Sequence, residues 1–225
     1  MLIEDLKFDC RLYVMVLSVA PLRIYLFEEG LARFSTEAYK APSKKNLDNM
    51  YMHLTNYAIN CRNKGKFVFN KGLDDADTGH KRTFTSILEY ISENYDDGEQ
   101  KCDTMMHKIE QLIIKTICTV QPSLKHYLNI PNKAQYMCDD DDKNSNKKDG
   151  KENINSMCFE ILGFDVLIDE KLKPWLIEIN HAPSFATDTP LDFKMKKDVI
   201  ADAIQLLGMT WKRKKKFIKA HKSNI

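Results

Sequence analysis

No apolar run in this chain approaches the ~18–20 residues that a membrane-spanning helix needs. The first ten residues, MLIEDLKFDC, hold neither a basic cluster nor an apolar core of secretory-signal type. On that reading no membrane partner is expected. Cysteine is sparse and scattered: the six residues, at 10, 61, 102, 118, 138 and 158, form no CxxC pair and have no histidine at zinc spacing. This argues against a disulfide framework or a structural zinc site, and for reduced thiols in an intracellular setting. No internal repeat is visible, and no recognised nucleic-acid motif, so nucleic acid is not an expected partner. What is present has the composition of a water-soluble globular chain, with 225 residues, 43% hydrophobic, 29% charged and a net charge of +2. That length can bury a substantial core.

The densest signal lies at 158–184, CFEILGFDVLIDEKLKPWLIEINHAPS. Two apolar runs flank a polar segment rich in turn formers, which predicts a β-hairpin. Folded about a centre between Lys171 and Leu172, the ladder sets Asp165 opposite Glu178 and Leu167 opposite Leu176. Side chains alternate faces along a strand, so Phe164, Val166 and Ile168 share an apolar core face with Trp175, Ile177 and Ile179. The other face carries Asp165, Glu178 and Asn180. Two carboxylates facing each other across a strand pair are destabilising by themselves. With the amide oxygen of Asn180 they form a hard-oxygen set suited to Mg²⁺, which takes few protein carboxylates and fills its shell with water and phosphate. The plain alternative is a solvated outer face.

Taken in order, the chain opens on a second predicted hairpin, over 6–29, turning at Ala20-Pro21. Lys7, Asp9 and Arg11 alternate onto one face, and Phe8, Cys10, Leu12, Val14 and Val16 onto the other. The charged row is either a solvated edge or a phosphate site, since Arg offers a planar fork of donors and Lys a point charge. Gly30 is expected to end the second strand, with Arg33 shortly beyond it. The Thr and Asn side chains of HLTNYAIN (53–60) read as turn or cap formers. Residues 62–82 form a loop, and 83–94 a short helix. Asp103 would cap a longer helix running to about Val120, with Met106, Ile109, Leu112, Ile113 and Ile117 on its core side. Residues 139–156, DDDDKNSNKKDGKENINS, cannot offset their ordering entropy by burial and read as a disordered insertion. A last helix, marked by Val199, Ile200, Ala203, Ile204 and Leu207, would be capped by Asp192 and stopped at Gly208. The end, WKRKKKFIKAHK, is a basic tail (211–225) fitted to a polyanionic partner.

Four blocks, KFDCRLYVMV, PLRIYLFEEGLARF, MHLTNYAIN and CFEILGFDVLIDEKLKPWLIEINHAPSF, occur in order. Together they resemble the tubulin–tyrosine ligase-like family, most closely its polyglutamylase branch, from about Leu2 to about Leu207. The resemblance implies an α+β, ATP-grasp-like fold: an antiparallel sheet backed by helices. It implies that residues 1–210 are the C-terminal part of the catalytic domain, without the N-terminal portion that supplies the adenine pocket in the family.

The activity implied is ATP-dependent addition of free glutamate to glutamate side chains in the acidic tails of tubulin, through an acyl-phosphate. A glycine ligase, or an inactive homologue that only binds microtubules, are the alternatives. By the same resemblance Asp165, Glu178 and Asn180 would hold Mg²⁺ against ATP. Lys7 and Asp9 would contact the nucleotide, as would Thr55 and Asn56, which also approach the acceptor side. Arg11 and Arg33 would meet the phosphate end and the reactant carboxylates, and His181 would tune specificity. A monomer acting on microtubules in cytoplasm, cilium or basal body is the expected setting.

Overall fold

The computed structural model describes residues 1–69, 79–137, 158–208, 211 and 215, of which 129–137 by backbone alone. The elements are β1 (Leu2–Ile3), β2 (Leu6–Val19), β3 (Leu22–Phe34), α1 (Met50–His53), α2 (Tyr57–Asn60) and β4 (Lys81–Thr83), followed by α3 (Phe84–Asn94), α4 (Gly98–Met137), β5 (Glu160–Ile168), β6 (Pro174–Asn180) and α5 (Pro190–Leu206). All strand pairings are antiparallel, in the order β4-β3-β2-β5-β6, with β1 added to β2. This is the expected α+β architecture. No helix among the described residues is long and apolar enough to cross a membrane, and Cys10, Cys61, Cys102 and Cys118 are free thiols.

The alternation of β2 decides the layers. Phe8, Cys10, Leu12, Val14 and Val16 point into a dry core with Ala32 and Phe34 of β3 and Phe164, Val166 and Ile168 of β5. α3 covers that core with Phe84, Ile87 and Ile91, and α4 with Met105, Ile109, Ile113 and Ile117. The Ile109, Ile113 and Ile117 spacing is the one-turn repeat of a single helix face. On the opposite side of the sheet α5 seats Leu191, Met195 and Val199 on Tyr13 and Leu31. That apolar seat covers only part of the face. Arg11, two residues before Tyr13, and Arg33, two after Leu31, fall outside it and begin the polar region.

Several boundaries differ from the expectations. β3 runs through Gly30 to Phe34. A Cβ on Gly30 would lie 2.8 Å from the Arg11 carbonyl oxygen and 3.3 Å from Phe84 Cβ, so the glycine marks close packing rather than a strand end. α4 begins at Gly98, five residues before Asp103, so Asp103 lies inside it and caps nothing; Val120 is exposed. The cap of α5 is Thr189, whose hydroxyl accepts from the Asp192 amide (3.2 Å). Asp192 is engaged elsewhere, and Ile200 and Ile204 face outward. The 139–156 insertion and most of the basic tail lie outside the described residues.

The β5–β6 hairpin holds the largest correction. Asp165 pairs Glu178 as expected, but a bulge follows: Val166 pairs Leu176, and Leu167 pairs Trp175 rather than Leu176. Ile177 is the extra residue. β6 is also an edge strand, so Trp175 (50% exposed), Ile177 (53%) and Ile179 (38%) are not the core face that alternation predicted. A bulge beside a site re-aims side chains locally. Here it ends strict alternation just beyond the Asp165–Glu178 pair.

Candidate active site

The polar stripe crosses four strands. Register aligns Asp9 with Arg33, Arg11 with Asp165, and Asp165 with Glu178. Hydrogen bonds follow the register. Arg33 forks onto Asp9, its Nε donating at 3.1 Å, and its Nη2 also reaches Asp165 Oδ2 at 2.7 Å. Arg11 forks onto Asp165 from the other side, its Nε to Oδ1 and its Nη2 to Oδ2 at 2.8 Å. Asp9 and Asp165 are each 1% exposed. Planar guanidinium forks are the geometry that suits buried carboxylates.

Burial alone would push the Asp165 carboxyl up. The Arg11 hydrogen bond and the charges of Arg33 and Arg11 outweigh it, and the net shift is downward. For Arg33, burial acts downward but the hydrogen bond and charge of Asp9, joined by Asp165, hold the guanidinium firmly protonated. The two facing carboxylates of the hairpin therefore do not stand alone. β2 lies against β5 and delivers Arg11, while β3 delivers Arg33. Neighbouring cations relieve the repulsion that a bare Asp165–Glu178 pair would suffer.

At the sheet edge the stripe opens. Glu178 is exposed and Asn180 half-buried, and Asn180 Nδ2 donates to Glu178 Oε1 at 3.1 Å. That leaves Glu178 Oε2 and Asn180 Oδ1 without donors among the described residues. Asp165 Oδ1 accepts a single bond. No three His, Cys, Asp or Glu side chains among the described residues form a metal cage. Glu178 and Asn180 instead offer a carboxylate and an amide oxygen with free acceptor positions, one strand over from the arginine-held Asp165, and hard oxygens of this kind are what Mg²⁺ accepts. His181 follows at the edge and is exposed.

Lys7, near the start of β2, donates from its Nζ to the His53 carbonyl oxygen at 2.7 Å. It thereby ties the 53–56 loop to the stripe. The structural reading of HLTNYAIN holds for one residue. Asn60 is fully buried, accepting at Oδ1 from the Thr36 amide (3.0 Å) and hydroxyl (2.9 Å), and donating to the Leu54 carbonyl (2.8 Å). Thr55 and Asn56 make no side-chain hydrogen bond among the described residues, and Asn56 opens α2 without a side-chain cap.

Sequence reasoning missed Gly163. A Cβ there would lie 3.1 Å from Arg11 Cδ and 3.2 Å from Pro183 Cβ, so the bare backbone makes room for the Arg11 arm beneath Pro183. It missed Lys81 as well, which sits on β4 opposite Arg33. A lone glycine inside a strand run was the available hint for the first. Nothing local marks the second.

The site therefore belongs to an antiparallel α+β domain with fixed cations beside open oxygen acceptors on one sheet face, and guanidinium forks are the chemistry that suits phosphate and carboxylate groups. The chain belongs to the tubulin-tyrosine ligase family, whose model matches residues 1–216. It is 43% identical over 221 residues to a probable beta-tubulin polyglutamylase of Tetrahymena thermophila, covering 98% of this chain and 17% of that protein. It is 42% identical to the mouse tubulin polyglutamylase TTLL13, covering 100% of this chain and 25% of the relative. For the human tubulin polyglutamylase TTLL6 the figures are 40%, 96% and 21%. The chain thus spans about a quarter or less of the length of these curated relatives.

Proposed function

We propose that the protein is an ATP- and Mg²⁺-dependent ligase that joins free glutamate to glutamate side chains of tubulin tails. The observation that carries this reading is the Asp9–Arg33–Asp165–Arg11 network ending at Glu178 and Asn180, in a chain about 40% identical to tubulin polyglutamylases.

In this reading residues 1–210 form the C-terminal part of the catalytic domain. Asp165, Glu178 and Asn180 hold Mg²⁺, which when bound neutralises charge on phosphate oxygens. Lys7 and Asp9 line the nucleotide side with Thr55 and Asn56. The acceptor carboxylate takes the γ-phosphoryl group of ATP, giving an acyl-phosphate and releasing ADP. The glutamate amine then attacks the acyl carbon, loses a proton and expels phosphate, leaving the amide bond. Arg11 and Arg33 serve by standing charged and oriented before the reactants arrive, so no reorganisation is needed as anionic charge develops. In the same reading His181, next to Asn180, senses the incoming amino acid. The basic 211–225 segment supplies salt-sensitive attraction to the acidic tails, which makes microtubules in cytoplasm or cilium the setting.

The test is glutamate addition itself. Purified protein is incubated with ATP, Mg²⁺, glutamate and microtubules, and tubulin tails are read by intact mass. Additions of glutamate mass that vanish with Glu178→Gln support the ligase. Additions only with glycine would reassign the substrate. No addition, while microtubules still co-sediment the protein, would replace the ligase with a binding module.

A further inference from the structure

A second group of buried charges lies beside the stripe and takes no part in it. Asp192, at the start of α5, is 1% exposed, and Lys81 on β4 is 5% exposed. Lys81 Nζ lies 2.7 Å from Asp192 Oδ2, which also accepts from the Thr189 hydroxyl at 2.9 Å. Lys196 Nζ stands 3.6 Å from Asp192 Oδ1 and donates to the Ala186 carbonyl. Asp192 Oδ1 itself is enclosed without a hydrogen-bond donor. On its other side the Lys81 ammonium lies 3.9 Å from the centre of the Tyr57 ring.

These partners come from separate walls of the site. Tyr57 opens α2 directly after Thr55 and Asn56. Ala186 and Thr189 belong to the 181–189 segment, which leaves Asn180, packs Pro183 over Arg11 and stacks Phe185 on Tyr13 (6.2 Å). Buried ion pairs are poor sources of net stability, because desolvation offsets most of their attraction. What this one supplies is direction: a single lysine meets Tyr57 directly and reaches Thr189 through Asp192, and it stands opposite Arg33 in the sheet.

We propose that Lys81 and Asp192 are a positioning pair that couples the 54–57 wall to the 181–189 wall, holding Thr55 and Asn56 in register with Asn180 and Arg11. Neither residue touches the reactants. The consequence for turnover rests on the ligase reading above; the coupling itself does not.

The experiment compares Lys81→Met, Asp192→Asn and the double variant in two measurements. In amide hydrogen exchange, each single variant should speed exchange at 54–61 and at 182–189 together, on the order of tenfold, with α3 and α4 unchanged. Faster exchange at one segment only would overturn the coupling. In glutamate addition, kcat should fall about tenfold with KM for ATP within about twofold, and the double variant should be no worse than the poorer single. Losses that multiply in the double variant would overturn the pair. Should the buried variants fail to fold, Tyr57→Leu keeps the test open. It should loosen 54–61 and leave 182–189 protected, and unchanged exchange at 54–61 would show that Lys81 does not hold that wall. A wild type that adds no glutamate sinks the ligase reading alone, because the exchange results still decide the coupling.

Discussion

The polar stripe is closed at one end and open at the other. On β2, β3 and β5, two arginines and two aspartates satisfy one another in near-complete burial. On β6, Glu178 and Asn180 share one hydrogen bond and keep acceptors free. The closed end is paid for in the fold, since its charges are fixed and oriented before any ligand binds. The open end keeps its acceptors turned to the sheet edge. An edge strand suits that openness, because no strand among the described residues pairs with its outer side.

Breaking the closed end should cost most. Arg33→Leu strands Asp9 without its partner and removes one of the two cations on Asp165, a loss of about 3–5 kcal/mol. Urea unfolding measures it, and a loss under 1 kcal/mol would mean the network is not buried as described.

Asp165→Asn should cost about 1.5–3 kcal/mol at neutral pH, as a charge-assisted hydrogen-bond set is weakened. The pH dependence has a definite sign. The folded-state pKa of Asp165 is lowered, so its contribution is present above the usual carboxylate value, about 3.9, and lost as pH falls through the folded value. The stability gap between wild type and variant should therefore be flat above about pH 5 and narrow below about pH 4. A gap that widens in acid would contradict the assignment.

Gly30→Ala presses a methyl group on the Arg11 carbonyl and Leu12, behind the stripe, for about 1–3 kcal/mol. An alanine variant as stable as wild type would show that the backbone yields there.

At the open end, Glu178→Gln should change stability by less than about 0.5 kcal/mol, yet eliminate glutamate addition. Equal damage to folding would erase the distinction between the two ends.

Much of the stripe was legible because it follows from period two. Lys7, Asp9 and Arg11 fall on one face of a strand whatever surrounds it, and the hairpin centre placed Asp165 opposite Glu178. What failed did so for a nonlocal reason. Trp175, Ile177 and Ile179 look like core because they are apolar and alternate, but no local pattern says that β6 is an edge or that a bulge interrupts it. Asp103 and Asp192 are plausible caps by residue type. Competing geometry placed one inside α4 and gave the other to Lys81.

Periodicity, turn chemistry and the four long blocks determine from the sequence alone that this is an antiparallel α+β member of its family, with a charged row on β2 and a row of oxygen-bearing side chains on the last hairpin. Only the tertiary structure decides that Asp165 is gripped by two arginines, that Asn60 clamps the loop bearing Thr55 and Asn56, and that Lys81 meets Asp192. Alternation is a property of one strand, and residues a few positions apart are enough to reveal it. An ion pair between residues 111 positions apart, such as Lys81 and Asp192, exists only once the sheet order has brought their elements together.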